Sequence, residues 1–444
     1  MGVGGLFHCV FFVAVDKVAV SFQLPLLRRG KCGDPALPSL FVLQVAPDAT
    51  HPTFAATRDR RGYQSARALL DDTFNRMAVR DGGFIKDFQA TELDSRTFEL
   101  FISEVLYEAG ACFSVVGEQP DFEPTIRGVS FSVECVTVNP TKSGASPEPY
   151  QPMNPRDVDM EDLRHRVLND LPTRFGGALH AKRNKRFTDK RLAYWELEHT
   201  RGKPFVFATQ TFHEHGALAF SSAAFATYLY GAQHWGRRDG EGKLVIEHTR
   251  PEDHLKANGV AIETGFFDYE GVEHISAVLW ANTGTIPKFL RMALQGPYPD
   301  PEIVCYRVGS AGDPDPNASA PATFAYQVGD PDWQETWGEG VVLFHNPNAL
   351  HPLPHNLIET VVNAYIDDEG RYVEIVPPGL HPFMSLTMVG ATDEEKMAAY
   401  VNAGLMAQAI EATNSHTAAT DAPEWWAGFP AGETLRSYRS ESID

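Results

Sequence analysis

Two carboxylates lie in strand-like segments at a spacing that suits metal chemistry. Asp121 follows Pro120 at the start of one segment, and Glu134 lies thirteen residues later inside the run VSFSVECVTV. The intervening pair Arg127-Gly128 predicts a tight turn that folds the two segments into a hairpin. We therefore expect the two carboxylates to meet at one end of a sheet, where their oxygens could hold a hard divalent cation such as Mg²⁺.

Glu134 is notable because its strand is otherwise apolar, and an unpaired charge is costly to bury. Strand alternation places its neighbours Val133 and Cys135 on the opposite face. The alternative interpretation is a half-exposed strand on which Glu134 faces solvent, a common arrangement in antiparallel sheets.

The segments around these carboxylates predict a mixed α/β sheet. Residues 94–110 form an amphipathic pattern, three short β-rich runs extend to residue 138, a helix pattern returns within 160–187, and KPFVFATQTF predicts a buried strand. The order helix, three strands, helix, strand contains one crossover connection. We therefore predict that residues 94–212 form one sheet flanked by helices.

At this point the chain resembles a known superfamily. Pro120-Asp121-Phe122 followed by Val133-Glu134-Cys135 is similar to the motif of the PD-(D/E)XK nucleases, whose fold has the same order of elements. The resemblance implies a restriction-endonuclease-like core and a Mg²⁺-dependent hydrolase acting on DNA, with Asp121 and Glu134 as catalytic metal ligands. The chain also resembles a group of uncharacterised bacterial proteins that share this core, and the similar segments are residues 120–140, 194–214 and 274–292. This second resemblance implies the fold but no activity.

The resemblance also points to residues outside the two strands. In the superfamily a glutamate of the preceding helix often joins the metal and catalytic site, and Glu99 or Glu104 would fill that place, with Glu99 nearer the helix start. The family motif has a lysine two residues after the strand glutamate, where this chain has Val136. Some members take a lysine from the following helix, and Lys182 is the position we expect to replace it, with Lys185 one turn further on.

A local basic stretch predicts contact with nucleic acid. From Arg164 to Lys203 there are eleven Lys or Arg and four Asp or Glu, in a chain whose net charge is -20. Phosphates could dock there, and the residues that we expect to bind nucleic acid are Arg183, Lys185, Arg186, Lys190 and Arg191. The alternative is an ordinary solvated helix face. Tyr194 and Trp195 in the same stretch could stack on bases or belong to the core.

Histidines offer a weaker metal hypothesis. The sequence places His213 and His215 on either side of Glu214, and a second group at His345, His351 and His355. Zinc uses such ligands, but neither group is accompanied by CxxC or HExxH spacing. The chain also lacks the motifs that anchor serine hydrolase, P-loop and dinucleotide-binding sites.

The whole chain has the composition of a folded protein, with 43% hydrophobic and 22% charged residues among 444. Its acidity, with a pI of about 5.2, disfavours a surface that coats nucleic acid generally, so contact with DNA must be local. The five cysteines are scattered and show no disulfide framework, which favours a reducing cytoplasm. The apolar first fourteen residues lack a basic n-region and are too short to cross a membrane, so we expect neither secretion nor a membrane partner.

Three regions follow from these patterns. Residues 1–60 are Pro-rich and aperiodic and predict an irregular N-terminal segment, of which residues 1–50 should be peripheral. Residues 61–235 contain the nuclease-like α/β core. Residues 236–444 predict a second, β-rich module with a terminal helix and a tail.

Two functions remain open from the sequence. The first is a metal-dependent endonuclease that uses Asp121, Glu134, Glu99 and Lys182. The second is a catalytically inactive nuclease fold that binds nucleic acid or protein, for which Val136 in place of lysine is the motivating residue.

Overall fold

The computed structural model describes most of the chain. The described residues are 37–77, 82–114, 119–139, 169–187, 190–212, 218, 222–238, 240, 244–249, 254–255, 261–313, 318, 321–419 and 437–438. The apolar N-terminal run considered above lies outside these ranges.

Eight α-helices occur within the described ranges. They are α1 (Pro52–Asp59), α2 (Gln64–Arg76), α3 (Phe84–Gln89), α4 (Leu93–Glu108), α5 (Leu171–Arg183), α6 (Ala223–Tyr230), α7 (Ile286–Gln295) and α8 (Asp393–Ala419). None of these helices combines the length and apolarity needed to span a membrane.

The strands fall into a central sheet and several smaller sheets. The central sheet contains β4 (Ser132–Val138), β5 (Phe205–Thr211), β10 (Ala277–Ala281), β13 (Val341–His345), β14 (Val362–Ile366) and β15 (Tyr372–Ile375). The smaller sheets contain β1 (Cys112–Phe113), β2 (Pro124–Ile126), β3 (Val129–Ser130), β6 (Gln233–Arg238), β7 (Leu244–Thr249), β8 (His254–Leu255), β9 (Ala261–Ile262), β11 (Val304–Ala311), β12 (Ala322–Gln327), β16 (Pro382–Gly390) and β17 (Ser437–Tyr438).

The central sheet is mixed, with the spatial order β15-β14-β13-β10-β5-β4. β4 pairs parallel with β5, and β5 pairs parallel with β10. The pair β13 and β14 is also parallel, whereas β10 with β13 and β14 with β15 are antiparallel. The predicted α/β fold class is therefore confirmed, and the strand that carries Glu134 lies in the same sheet as residues 205–211.

Helices cover both faces of this sheet, because its strands carry apolar side chains on both faces, as the alternating side chains of β5 show. Val206 and Ala208 pack on the face covered by α2, α4 and α7. Phe205 and Phe207 pack on the other face, under α5 and α6. Since every residue of β5 is buried, the strand is apolar on both sides, as expected for an inner parallel strand.

The hairpin predicted to pair the segment of Asp121 with the run that contains Glu134 is formed only in part. β1, β2 and β3 do form a small antiparallel sheet, and the turn after Ile126 has positive φ at Arg127 (47°) and Gly128 (81°), typical of a type I′ hairpin. The chain leaves this sheet at Phe131, however, and β4 pairs with β5 instead. A single antiparallel bridge between Phe122 and Val133 still links the two parts.

The predicted division between residues 235 and 236 does not separate two modules. β10, β13, β14 and β15, all from the C-terminal half, extend the sheet begun by β4 and β5. The strands β11, β12 and β16 form a separate antiparallel sheet covered by α8. The C-terminal half is β-rich as predicted, but it completes the core of the N-terminal half.

A buried cluster of charges ties this second sheet to α7. Glu335 accepts hydrogen bonds from Lys288 and Arg291 of α7, each at 2.7 Å, and its Oε1 lies 3.2 Å from Nη1 of Arg307 in β11. All four side chains are at most 3% exposed, so each charge is compensated inside the protein rather than by solvent.

The described part of the N-terminal segment is less peripheral than predicted. Leu40 is fully buried in the same core as Phe54 of α1, although α1 itself lies within the range predicted to be irregular. The backbone around Leu40 is held by side chains, because Asp71 accepts its N–H at 2.7 Å and Gln89 donates to its carbonyl at 2.8 Å. Such contacts require no periodic pattern in the segment, which explains why the sequence did not indicate them.

Burial of Leu40 predicts a measurable loss of stability on truncation. We expect Leu40→Ala to lower the free energy of unfolding in urea by about 2–5 kcal/mol, the range for large-to-small changes in a packed core. The matched control is Val42→Ala, because Val42 is 65% exposed and should cost less than about 0.5 kcal/mol. Equal, small losses for both variants would show that residues 37–50 are peripheral after all.

Candidate metal centre

The Glu134 carboxylate lies inside the protein. Its side chain is 1% exposed, in a strand of which six of the seven residues are buried. The parallel partner β5 lies on one side of β4, and α5 covers the face toward which Glu134 points. The alternative of a solvent-facing glutamate is therefore wrong, because α5 covers that face.

Asp121 is brought beside Glu134 by the bridge between the hairpin and β4. Phe122 and Val133 exchange backbone hydrogen bonds of 3.0 and 2.9 Å, so in the antiparallel register Asp121 lies opposite Glu134. Oδ2 of Asp121 accepts the backbone N–H of Cys135 at 2.7 Å. The predicted meeting of the two carboxylates at one place in the sheet is therefore present.

Lys182 approaches from the last turn of α5. Its Nζ lies 2.5 Å from Oε1 of Glu134, and the hydroxyl of Tyr194 donates to the same oxygen at 2.6 Å. Val136, which stands where the family motif has lysine, is 1% exposed and packs in the core under α5. The structure thus places the amine of Lys182 beside the strand glutamate that the motif lysine would accompany.

The charges of this group perturb one another. Burial, followed by the charges of Glu134 and Glu99, raises the pKa of Asp121 well above its ordinary value. Burial alone would lower the pKa of Lys182, but the charge of Glu134, its hydrogen bond and the charge of Asp121 raise it above its ordinary value. Burial and the nearby carboxylates likewise raise the pKa of Cys135, so its thiol stays protonated. The site therefore holds a charged lysine and favours a protonated aspartic acid.

The two oxygens of Glu134 differ in their hydrogen bonds to the described residues. Oε1 accepts two hydrogen bonds, whereas Oε2 is buried and has no hydrogen-bond partner among the described residues. An unsatisfied buried acceptor costs roughly 1–3 kcal/mol, more when it is charged. Two close carboxylates, one with a free oxygen, form a donor set that suits a hard cation.

Asp121, Glu134 and Lys182 line a cavity of about 660 Å³. Its lining residues come from α3 and the chain before it, α4, the segment before Phe122, β4 and the end of α5, and most of them are polar. They include Glu92, Ser95, Arg96, Glu99, Gln119, Asp121, Glu134, Cys135, Thr137, Asn139, Lys182 and Lys185. The volume is within the range of small-molecule sites.

The two helical glutamates behave differently from each other. Glu99 lines the cavity, and its charge contributes to the raised pKa of Asp121, but its carboxylate lies 3.1 Å from Arg96 on its own helix. Glu104 is fully buried against Arg76 and Thr73 and is not part of the cavity lining.

Within the part of the chain that the structure describes, no three His, Cys, Asp or Glu side chains form a group that could hold a metal. The structure therefore brings together Asp121, Glu134 and Lys182, and it does not bring Glu99 into a three-carboxylate metal group.

The predicted nucleic-acid-binding residues are spread around the end of α5. Lys185 lines the cavity, and its Nζ lies 5.0 Å from the ring centre of Phe187. Arg186, Lys190 and Arg191 are exposed on the segment that follows the helix. Arg183 is half-buried and points toward Gly271, so the basic residues do not form one continuous face.

The histidine hypothesis gains no support from the described residues. His213 and His215 lie outside the described ranges. The rings of His345 and His355 are 4.6 Å apart, but Nε2 of His345 is bonded to Asn363 at 3.0 Å, and burial lowers the pKa of His345 to about 4. His351 is exposed and does not complete a metal group with them.

Two contacts of the site were missed by sequence reasoning. Tyr194 is part of the core, but its hydroxyl also binds Glu134, sixty residues away in the chain. Its neighbour Trp195 stacks on His274 with ring centres 5.2 Å apart. The second missed contact is the Cys135 backbone N–H, which fixes Asp121. No sequence pattern marks either contact.

Comparisons with known proteins found no match: no family model, no curated protein and no solved structure matches the chain. The likeness to PD-(D/E)XK nucleases stays a prediction that rests on the residues described above.

The raised pKa of Asp121 predicts a pH-dependent difference in stability. An unfolded aspartate ionises at about pH 4, whereas Asp121 in the folded protein keeps its proton to higher pH. The folded state then binds more protons than the unfolded state, so stability falls as pH rises from the unfolded pKa to the folded pKa, by up to about 1.4 kcal/mol per pH unit.

Asp121→Asn keeps an oxygen for the Cys135 N–H and removes the ionisation. In EDTA we expect its melting temperature to rise relative to wild type between about pH 4 and pH 8. Asp332→Asn, at an exposed position, should show no such trend. A difference between Asp121→Asn and wild type that stays constant over this range would contradict the raised pKa.

Proposed function

We propose that this protein is a metal-dependent nuclease that cuts DNA at the cavity formed by α4, β4 and α5. The observation that carries the proposal is the position of Lys182, whose amine lies 2.5 Å from Glu134 although the strand itself has valine where the motif has lysine. An acidic pair with a neighbouring lysine is the set of residue types that metal-assisted phosphodiester hydrolysis uses.

The residues fit Mg²⁺ better than they fit a transition metal. Mg²⁺ prefers oxygen ligands, keeps several waters, and is commonly held by one or two carboxylates together with phosphate oxygens of the substrate. Asp121 and Glu134 supply two carboxylates, and Oε2 of Glu134 is a buried acceptor with no hydrogen-bond partner among the described residues. When bound, the cation would activate water and neutralise charge on the phosphate.

The remaining roles follow from charge and position. Lys182 keeps its positive charge and lines the cavity, so it can stabilise the negative charge that develops on a phosphate during cleavage. Lys185 lines the cavity, and Arg186, Lys190 and Arg191 are exposed on the segment that follows α5, so we propose that they contact phosphates of the bound DNA. Because the chain carries a net charge of -20, we expect binding to be confined to this region.

We place this activity in the cytoplasm. The three cysteines in the described ranges, Cys112, Cys135 and Cys305, are all free thiols, and Cys112 is exposed. Free exposed thiols are usual in a reducing compartment.

The direct test combines a metal-induced melting shift with plasmid cleavage. At a hundredfold excess of Mg²⁺ or Mn²⁺ over its dissociation constant we expect a stabilisation of about 2.7 kcal/mol and cleavage of supercoiled DNA. Glu134→Gln should abolish both, because it removes the charge at nearly constant volume. Lys182→Met should keep the melting shift and reduce cleavage by about 100-fold or more.

The matched control is Lys203→Met. Lys203 is 35% exposed and pairs with Glu123 at 3.2 Å, whereas Lys182 is 31% exposed and pairs with Glu134, so the two lysines differ mainly in location. Cleavage should survive in Lys203→Met. Wild-type protein that shows neither a shift nor cleavage with either metal would refute the enzyme, and DNA binding without cleavage would favour the inactive binding fold.

A further inference from the structure

Tyr194 makes a contact that the proposed chemistry does not require in itself. The side chain is fully buried, and its hydroxyl donates to Oε1 of Glu134 at 2.6 Å. Burial and the adjacent charge of Glu134 raise the pKa of Tyr194, so the phenol remains protonated and acts as the donor. Glu134 is therefore held by one neutral donor and one cationic donor.

The tyrosine ring is itself firmly held. It begins a short 3-10 helix, Tyr194–Glu196, whose preceding residue Ala193 donates its N–H to Glu196 at 2.7 Å. The carbonyl of Tyr194 accepts the hydroxyl of Thr200 at 2.5 Å. The ring packs against Phe187 and Phe205, with centres 4.6 and 5.5 Å away. The hydroxyl can therefore fix the position of Glu134 rather than follow it.

The two donors to Oε1 have opposite consequences for a cation. Lys182 carries a positive charge that competes with a metal for the carboxylate. Tyr194 carries no charge, so its hydrogen bond orients Glu134 without repelling a cation at Oε2, which has no hydrogen-bond partner among the described residues. Outer partners of this kind commonly change metal affinity by about 10- to 100-fold when they are removed.

We infer that Tyr194 is the positioning residue for Glu134 and that it sets the affinity of the site for a divalent cation. The inference rests on the proposed function, since it needs a cation to bind at Asp121 and Glu134. It adds that, besides Asp121 and Glu134, the residue that sets cation affinity is Tyr194 in the segment after α5 and not a third acidic ligand such as Glu99. Loss of the tyrosine hydroxyl and loss of the lysine should then move metal affinity in opposite directions.

The test measures the dissociation constant for Mn²⁺ by calorimetric titration of the full chain. We expect Tyr194→Phe to weaken binding by about tenfold or more. Lys182→Met should bind Mn²⁺ at least as tightly as wild type. A merely structural role for the tyrosine would alter the melting temperature in EDTA and leave the dissociation constant unchanged.

Tyr228→Phe is the matched control. Tyr228 is equally buried in the same core, and its hydroxyl has no hydrogen-bond partner among the described residues, so the Mn²⁺ affinity of the Tyr228→Phe variant should equal that of wild type.

If Tyr194→Phe binds Mn²⁺ as wild type does, the inference is overturned and the proposed function stands. If wild type binds no Mn²⁺, the proposed function fails and the inference falls with it. If Tyr194→Phe fails to fold, the second variant is Phe187→Leu, which keeps the Tyr194 hydroxyl but loosens the packing of its ring. It should weaken Mn²⁺ binding, and an affinity equal to that of wild type would overturn the inference.

Discussion

The buried negative charge of Glu134 is the constraint around which the site is arranged. A carboxylate in the middle of an apolar strand cannot rely on water, so the fold must supply donors to it. α5 brings Lys182 and the following segment brings Tyr194, and both bind the same oxygen. The parallel pairing of β4 with β5 is what allows this, because the crossover between these strands contains α5 and Tyr194.

Two other carboxylates in this protein show what full compensation looks like. Both oxygens of the buried Glu335 accept hydrogen bonds from cationic side chains, and both oxygens of the half-buried Glu108 accept backbone N–H groups, from Trp337 and Gly338. Among the described residues, only one oxygen of Glu134 has hydrogen-bond partners, and Glu134 lies beside a second carboxylate, Asp121. Glu104 also has one oxygen without a partner in the described part of the chain, but it does not line the cavity. The combination of an unbonded oxygen, a second carboxylate and a cavity is what distinguishes the metal site that we propose.

Sequence reasoning predicted the parts of this arrangement that depend on local geometry. The Arg127-Gly128 turn places Asp121 opposite Glu134, and this follows from two consecutive segments of the chain. The position of Lys182 was predicted only from the resemblance to nucleases that take a lysine from the following helix. The partner of β5 on its other side could not be predicted, because many apolar strands could fill that position and only packing selects β10. The same holds for Leu40, which is held by side-chain hydrogen bonds to its backbone, and for Tyr194, whose contact spans sixty residues. The Arg96 and Glu99 pair has the i,i+3 spacing of a helical ion pair, which was a readable indication that Glu99 is engaged on its own helix.

The central claim is that Asp121 and Glu134 jointly bind a divalent cation, and anomalous scattering from a crystal soaked in Mn²⁺ tests it most directly. The account predicts one anomalous peak bonded to a carboxylate oxygen of Asp121 and to Oε2 of Glu134, with Lys182 and Tyr194 still on Oε1. A well-ordered soaked crystal with no peak between these carboxylates, or with a peak bonded to neither of them, would contradict it.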